Sequence, residues 1–250
     1  MPVLLSHLDP ELVKAVVLAS IRPGSTKKVI KNYERGGLKI IVQPKYNTPD
    51  YHLFIEDLKK LNVDLMLCYS YSMIIRKDIL ELVNYNAFNI HASLLPRNRG
   101  CNPTQWALIK GEKETGVTLH YVDDGLDSGD IVAQEKIDID FTDTWLSVNT
   151  KKIPPKVDKV LKDNLPKILA DKNIIRIKQD ETMATSNKRL NQGYPRIDFD
   201  KMDDLQIYNL IRAQVAPLKG AFIERSGEMI YIDKLVPYEE IKKLRSTYSG

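Results

Sequence analysis

The sequence predicts an α/β fold: a mostly parallel sheet covered by helices, then a small C-terminal α+β subdomain ending in a hairpin. Three observations predict it. Short β-branched and apolar runs alternate with amphipathic stretches, the pattern of strand–helix–strand units. The runs are apolar nearly throughout, as strands covered on both faces require. The alternation stops near residue 179, where a polar loop precedes a hairpin-like pair.

Strands are expected at about 14–20 (KAVVLAS), 38–42 (LKIIV), 63–68 (VDLMLC), 86–90 (NAFNI) and 116–121 (GVTLHY), with another near 130–137. Helical patterns fill 25–35, 49–61, 77–83 and 103–110. Thr48 followed by Pro49 is an N-cap and first-turn pair that opens the second of these. Residues 143–170 are Lys-rich and helical. Pro154, Pro155 and Pro166 should divide them into two or three pieces, because proline lacks the donor and clashes with the preceding turn. The loop TSNKRLNQGYP then leads to RIDF (196–199) and a helix near 202–215. AFIER and EMIYI follow, joined by Ser226-Gly227 as a hairpin. The expected division is a catalytic domain at 1–178 and a C-terminal subdomain at 179–250. Only about eight residues separate VLL (3–5) from the strand at 14–20, too few for a right-handed crossover. Either the first strand of the sheet is missing or the recorded chain starts late.

Composition narrows the function classes. Among 250 residues, 37 are basic and 33 acidic, a net charge of +4 that is too mild to predict nucleic-acid binding and is compatible with an anionic small substrate. No run approaches the length of a membrane span, and no secretory leader pattern opens the chain. Cys68 and Cys101 lack CxxC partners, which points to free thiols in a reduced cytoplasmic protein. The four histidines lack zinc-ligand spacing, so no metal is expected.

The chemistry is concentrated in FNIHASLLPRNRG (88–100). Residues i and i+2 of a strand share a face, so Asn89 and His91 project together from the carboxyl end of a parallel strand. Open α/β sheets bind ligands at that end. A neutral imidazole in such a role needs an orienting carboxylate. The turn VDDGLDSGD (122–130) supplies one: Asp127 sits between Gly125 and Gly129, with Asp123, Asp124 and Asp130 as alternatives. An amide, an imidazole and a carboxylate from two strand ends suit acyl transfer to an amine.

NIHASLLPRNRG, the helix beginning Pro103-Thr104-Gln105-Trp106 and GEKETGVTLHYVDDGLDSGDIV follow one another in order. Together they resemble the formyltransferases that use N10-formyltetrahydrofolate, over about 45 residues nearly in register. The resemblance implies a Rossmann-like sheet and assigns the catalytic trio to Asn89, His91 and Asp127. The family's usual His-Pro-Ser is His91-Ala92-Ser93 here. The resemblance also implies a pterin site on the loop SMIIRKDIL and the acidic turn, with Met73, Ile74, Ile75, Leu80, Asp123 and Gly125 as its residues.

Within the family, Arg99-Gly100-Cys101-Asn102-Pro103 is similar to the sugar N-formyltransferases. That likeness implies a nucleotide-linked aminodeoxysugar as acceptor, of the dTDP-4-amino-4,6-dideoxyglucose type, for O-antigen and lipopolysaccharide synthesis. Arg97, Arg99, Asn102 and Lys77 are the expected substrate contacts. Tyr208, Phe222 and Tyr231 stand near the expected base site, with core packing as their plainer role. Methionyl-tRNA formyltransferase is the alternative, although EMIYIDKLVPYEEIKKL lacks the basic, aromatic-interleaved surface that tRNA favours. An inactive binding module of the same fold is the third reading. A homodimer through the C-terminal hairpin is expected from its exposed edge.

Overall fold

The computed structural model describes residues 6–19, 37–170, 174–190 and 195–248. The expectations for residues 3–5 and for a helix at 25–35 lie outside them.

The chain folds as two compact units. The first comprises residues 1–91, 119–132 and 161–178, and the second 92–118, 133–160 and 179–250. The expected boundary at 178/179 is therefore one of several crossings. Residues 92–118 and 133–160 group with the C-terminal region because their apolar faces are completed there, Ala107, Leu108 and Ile139 packing with Ala213.

In the first unit, β1 (Val16–Ala19) and β2 (Ile40–Gln43) pair in parallel, Val16 opposite Ile40. Helix α1 (Pro49–Lys59) follows β2. Pro49 occupies its first turn as expected, but Thr48 does not cap it, since its hydroxyl donates to the carbonyl of Lys45 at 2.7 Å. The buried face of α1, Tyr51, Phe54, Ile55 and Leu58, packs with Ile79 against Val17, Ile41 and Met66. β3 (Met66–Tyr69) and β4 (Ala87–His91) are parallel, with Cys68 opposite Asn89. Between them lies the short α2 (Lys77–Glu81).

β5 (Arg99–Gly100) and α3 (Pro103–Ile109) precede two longer strands, β6 (Glu114–Tyr121) and β7 (Ile131–Asp138). The sheet order is β3-β4-β6-β7, and β1-β2 hydrogen-bonds as a separate pair among the described residues. A short helix α4 (Trp145–Ser147), one π-helical turn (Val148–Lys152) and α5 (Ile153–Leu169) come next. Pro154 and Pro155 fall in the first turn of α5, where proline is tolerated. Pro166 does not end α5. Its carbonyl still accepts from Ala170 at 3.1 Å, and buried Val157, Val160, Leu161, Leu165 and Ile168 hold the helix by one face.

In the second unit, β8 (Ser186–Asn187) pairs in parallel with β5. α6 (Asp204–Arg212) opens with a reciprocal capping box between Asp203 and Gln206. β9 (Ala221–Arg225) and β10 (Glu228–Ile232) form the expected hairpin around Ser226-Gly227, both residues at positive φ. The hairpin is not the last element, because α7 (Ile241–Tyr248) follows and buries Ile241 beside Ile207 and Ile211.

Arg212 is the polar anchor of this unit. It is 3% exposed, and burial pulls its pKa below the usual guanidinium value. Its Nε donates to Asn209, and its Nη1 donates to the carbonyls of Asp140, Phe141 and Asp143 at 3.2–3.4 Å. Replacing Arg212 with Ala strands these acceptors and should lower stability by about 3 kcal/mol. Urea unfolding monitored by circular dichroism checks this, and a loss below about 1 kcal/mol would contradict the anchoring role.

Candidate functional site

The strand β4 alternates Phe88 and Ile90 into the core with Ala87, Asn89 and His91 on the opposite face. Phe88 packs on Tyr121 with ring centroids 4.5 Å apart, which seats β4 beside β6. The carboxyl end of β4 thus presents Asn89, half-buried, and His91, 7% exposed.

The turn after β6 meets them. Asp123 staples it, its carboxylate accepting from the Gly125 N–H at 3.0 Å and from the Ser128 hydroxyl at 2.9 Å. A Cβ at Gly125 would fall 2.0 Å from the Ser128 oxygen, and one at Gly129 would fall 1.9 Å from the Tyr121 carbonyl. Gly129 meets backbone and excludes a side chain, whereas at Gly125 the obstacle is the Ser128 side chain. Asp127 lies between them in the left-handed region, φ 51°, which aspartate tolerates better than most residues.

Asp127 Oδ2 comes to 3.6 Å from His91 Nδ1, and its Oδ1 accepts from Asn89 Nδ2 at 3.4 Å. The other candidate carboxylates are elsewhere engaged: Asp123 in the staple, Asp130 with Lys178 at 3.0 Å, and Asp124 exposed.

A fourth side chain joins the group without having been expected. His120 is 1% exposed. Its Nδ1 lies 2.7 Å from the Tyr121 carbonyl, so that nitrogen carries the proton and donates. Its Nε2 is then an acceptor, and Asn89 Nδ2 stands 3.1 Å away to donate to it. Burial is the largest influence on the imidazole and drives its pKa down to about 4, while Asp127 acts in the opposite direction. His120 is neutral at physiological pH and fixes the amide orientation of Asn89. Its sequence signal was its position three residues before the acidic turn, but strand alternation alone does not assign it to the face of Asn89.

The remaining expected residues divide by unit. In the first unit, Met73 and Ile75 are half-buried and Ile74 is 70% exposed. The Ile74 carbonyl accepts from Gln43 Nε2 at 3.4 Å. Leu80, expected as a pocket wall, has no exposed surface and packs with Val83 and Ala87, because the buried face of α2 needs an apolar anchor. Lys77 is solvent-exposed, 3.7 Å from Glu81.

In the second unit, Arg97 Nη2 pairs with Glu114 at 2.5 Å. Arg99, expected to meet a phosphate, is engaged within the protein in this structure. Its Nε and Nη2 donate to Gln179, and its Nη1 and Nη2 to Glu181, all at 2.7–3.0 Å. Being 9% exposed, it clasps β5 to the segment before β8. Asn102, at φ 56°, donates from Nδ2 to Gln105 at 2.7 Å and does not cap α3. Tyr208 and Phe222 are buried, and Tyr231 packs on Phe222 with centroids 5.6 Å apart.

Among the described residues, no group of three or more His, Cys, Asp or Glu side chains could hold a metal ion. No helix among them is long and apolar enough to cross a membrane.

The α/β sheet gathers an amide, an imidazole and a carboxylate at one strand end, a set compatible with acid–base group transfer. The formyl transferase family model matches residues 14–160, and the chain belongs to that family. It is 38% identical over 192 residues to a methionyl-tRNA formyltransferase of Caldicellulosiruptor saccharolyticus, covering 76% of this chain and 58% of that protein. It is 34% identical over 221 residues to the bifunctional polymyxin resistance protein ArnA of Wigglesworthia glossinidia brevipalpis, covering 87% of this chain and 31% of that protein. The chain therefore spans less than two thirds of the length of either relative. Among solved structures, a sugar N-formyltransferase from a Shewanella strain superposes with a TM-score of 0.63 at 19% identity, covering 88% of this chain and 96% of that one.

Two outcomes follow. Gly129→Ala should lose about 2 kcal/mol, because the added Cβ meets backbone rather than a movable side chain; an unchanged thermal midpoint would contradict the close approach. His120 sets a pH dependence. Between about pH 6.5 and pH 4 the unfolded chain takes up a proton on this residue that the native chain does not. Its contribution is complete above pH 6.5 and is lost as pH falls toward 4. His120→Asn should flatten that part of the slope, and parallel stability–pH curves for the two proteins would refute it.

Proposed function

We propose that the protein transfers a formyl group from N10-formyltetrahydrofolate to the amino group of a nucleotide-linked aminodeoxysugar. The observation that carries the reading is the 3.6 Å approach of Asp127 to His91 beside the Asn89 amide. Membership of the formyl transferase family supports the reaction class. The loop Arg99-Gly100-Cys101-Asn102-Pro103 supports the sugar branch.

The folate, when bound, supplies an activated one-carbon acyl group. Ile74, exposed between half-buried Met73 and Ile75, would offer it apolar surface. Residues 70–76 form neither helix nor strand, so their backbone groups stand outside any ladder. The turn held by Asp123 and Gly125 would border the same site.

Each residue has a distinct task. One hydrogen of Asn89 Nδ2 stays on His120 Nε2, and the other turns from the long 3.4 Å contact with Asp127 toward the carbonyl oxygen as negative charge grows there. His91, with Asp127 behind its Nδ1, takes the proton lost by the attacking amine and returns it to the departing nitrogen. Asp127 keeps the imidazole oriented and steadies its charged form. The acceptor of this reading is a dTDP-linked 4-amino-4,6-dideoxyhexose used in O-antigen synthesis, in a cytoplasmic enzyme that works as a dimer.

A second reading is formyl transfer to charged initiator tRNA, favoured by the 38% identity to a methionyl-tRNA formyltransferase. Incubation with formyl donor and a panel of dTDP-, UDP- and GDP-aminosugars, read by mass spectrometry, separates the two. A gain of about 28 Da on an aminosugar nucleotide, the mass of an added CO, is the expected result. Formylation of methionyl-tRNA alone, with steep salt dependence, would replace the sugar reading. His91→Ala and Asp127→Ala should each lower kcat by roughly 10²-fold or more, and unchanged turnover in either would overturn the assigned roles.

A further inference from the structure

The loops that follow β2 and β3 come together in the first unit. Gln43, 3% exposed at the end of β2, accepts from the Tyr71 hydroxyl and donates to the Ile74 carbonyl. Beyond this clasp, Tyr46 holds its ring 46% exposed. The Arg76 guanidinium carbon lies over that ring, 3.5 Å from its centroid. Tyr51 braces the edge at 5.2 Å and an interplanar angle of 80°. Tyr51 is itself fixed: it is 3% exposed, and its hydroxyl donates to Asp78 at 3.0 Å.

Arg76 forms no ion pair among the described residues; its one specific contact is the tyrosine ring. The ring contact restrains the guanidinium in advance, and its N–H groups remain suited to charge-assisted bonds with an anion. Lys45 and Lys77 are exposed on the same two loops. Ile74, 70% exposed, adds apolar surface next to the cations. Because β3 is parallel to β4, the loop carrying Ile74 and Arg76 leaves the sheet at the same end as Asn89 and His91.

We propose that Tyr46 and Arg76, flanked by Lys45 and Lys77, form a binding ledge for a ligand that carries a flat aromatic ring beside an anionic group. The proposal rests on the formyl-transfer reading, whose two substrates both have this chemistry. One is the aminobenzoyl-glutamate portion of the folate. The other is the base and diphosphate of the nucleotide-linked acceptor. The ring lies against Tyr46 and Ile74, and the anion meets the N–H groups of Arg76 and the two lysines.

Isothermal titration of the full-length chain distinguishes the sources. One arm uses 5-formyltetrahydrofolate bearing one or four glutamates, and the other uses dTDP, UDP and GDP. Tyr46→Ala and Arg76→Ala should each weaken one arm at least fivefold, and Arg76→Lys, which keeps charge without the plane, should weaken the same arm less. A folate-only loss assigns the ledge to the glutamate tail, and a nucleotide-only loss assigns it to the acceptor. Losses below fivefold in both arms, with unfolding midpoints equal to wild type, would overturn the ledge while leaving the formyl-transfer reading intact. A wild-type chain that binds neither class of probe would remove both.

Discussion

The site depends on the stapled turn between β6 and β7. Asp123 ties the Gly125 N–H to the Ser128 hydroxyl, and Gly129 lets the chain pass against the Tyr121 carbonyl with no room for a Cβ. These constraints force Asp127 into the left-handed region and aim its carboxylate back at β4. A conformation of this kind costs about 1 kcal/mol for a residue with a side chain. It is sustained because the turn on either side is over-determined.

The electrostatics of the site follow from that placement. One carboxylate stands within 3.7 Å of two imidazoles that occupy different environments. His120 is sealed in and kept neutral by burial, with both nitrogens committed: one to a backbone carbonyl, the other to the Asn89 amide. His91 lies nearer the strand end with Asp127 at its Nδ1. The two histidines thus divide the work, one rigid and fixing an amide, the other placed for proton transfer in the proposed reaction. Asn89 links them, since its Nδ2 is within reach of both His120 and Asp127.

In the second unit, charged loop residues that read as open in sequence are engaged with partners within the protein. Asn98 is 2% exposed and accepts from Lys110 and Asn187, while its own amide donates to Glu112. Arg99 next to it is consumed by Gln179 and Glu181. In sequence, Arg97-Asn98-Arg99-Gly100 reads as an open cationic loop. In three dimensions Asn98 and Arg99 form a buried polar clasp whose donors meet acceptors of the same unit. The acceptors of Arg99 come from residues about 80 positions away, which local pattern cannot reveal.

What the sequence alone determined is whatever depends on periodicity and local stereochemistry. Strand alternation placed Asn89 and His91 on one face of β4, the glycines marked the turn that carries Asp127, and Ser226-Gly227 marked the hairpin. Each of these is a short-range property of the backbone. Only the tertiary structure decided which of four aspartates faces His91, that His120 shares the site, that Leu80 is core and that Arg99 is engaged within the protein. It also joined 92–118 and 133–160 to the C-terminal region in one unit. Those outcomes turn on burial and on partners distant in the chain, so they arise only when separate segments compete for the same donors, acceptors and apolar space.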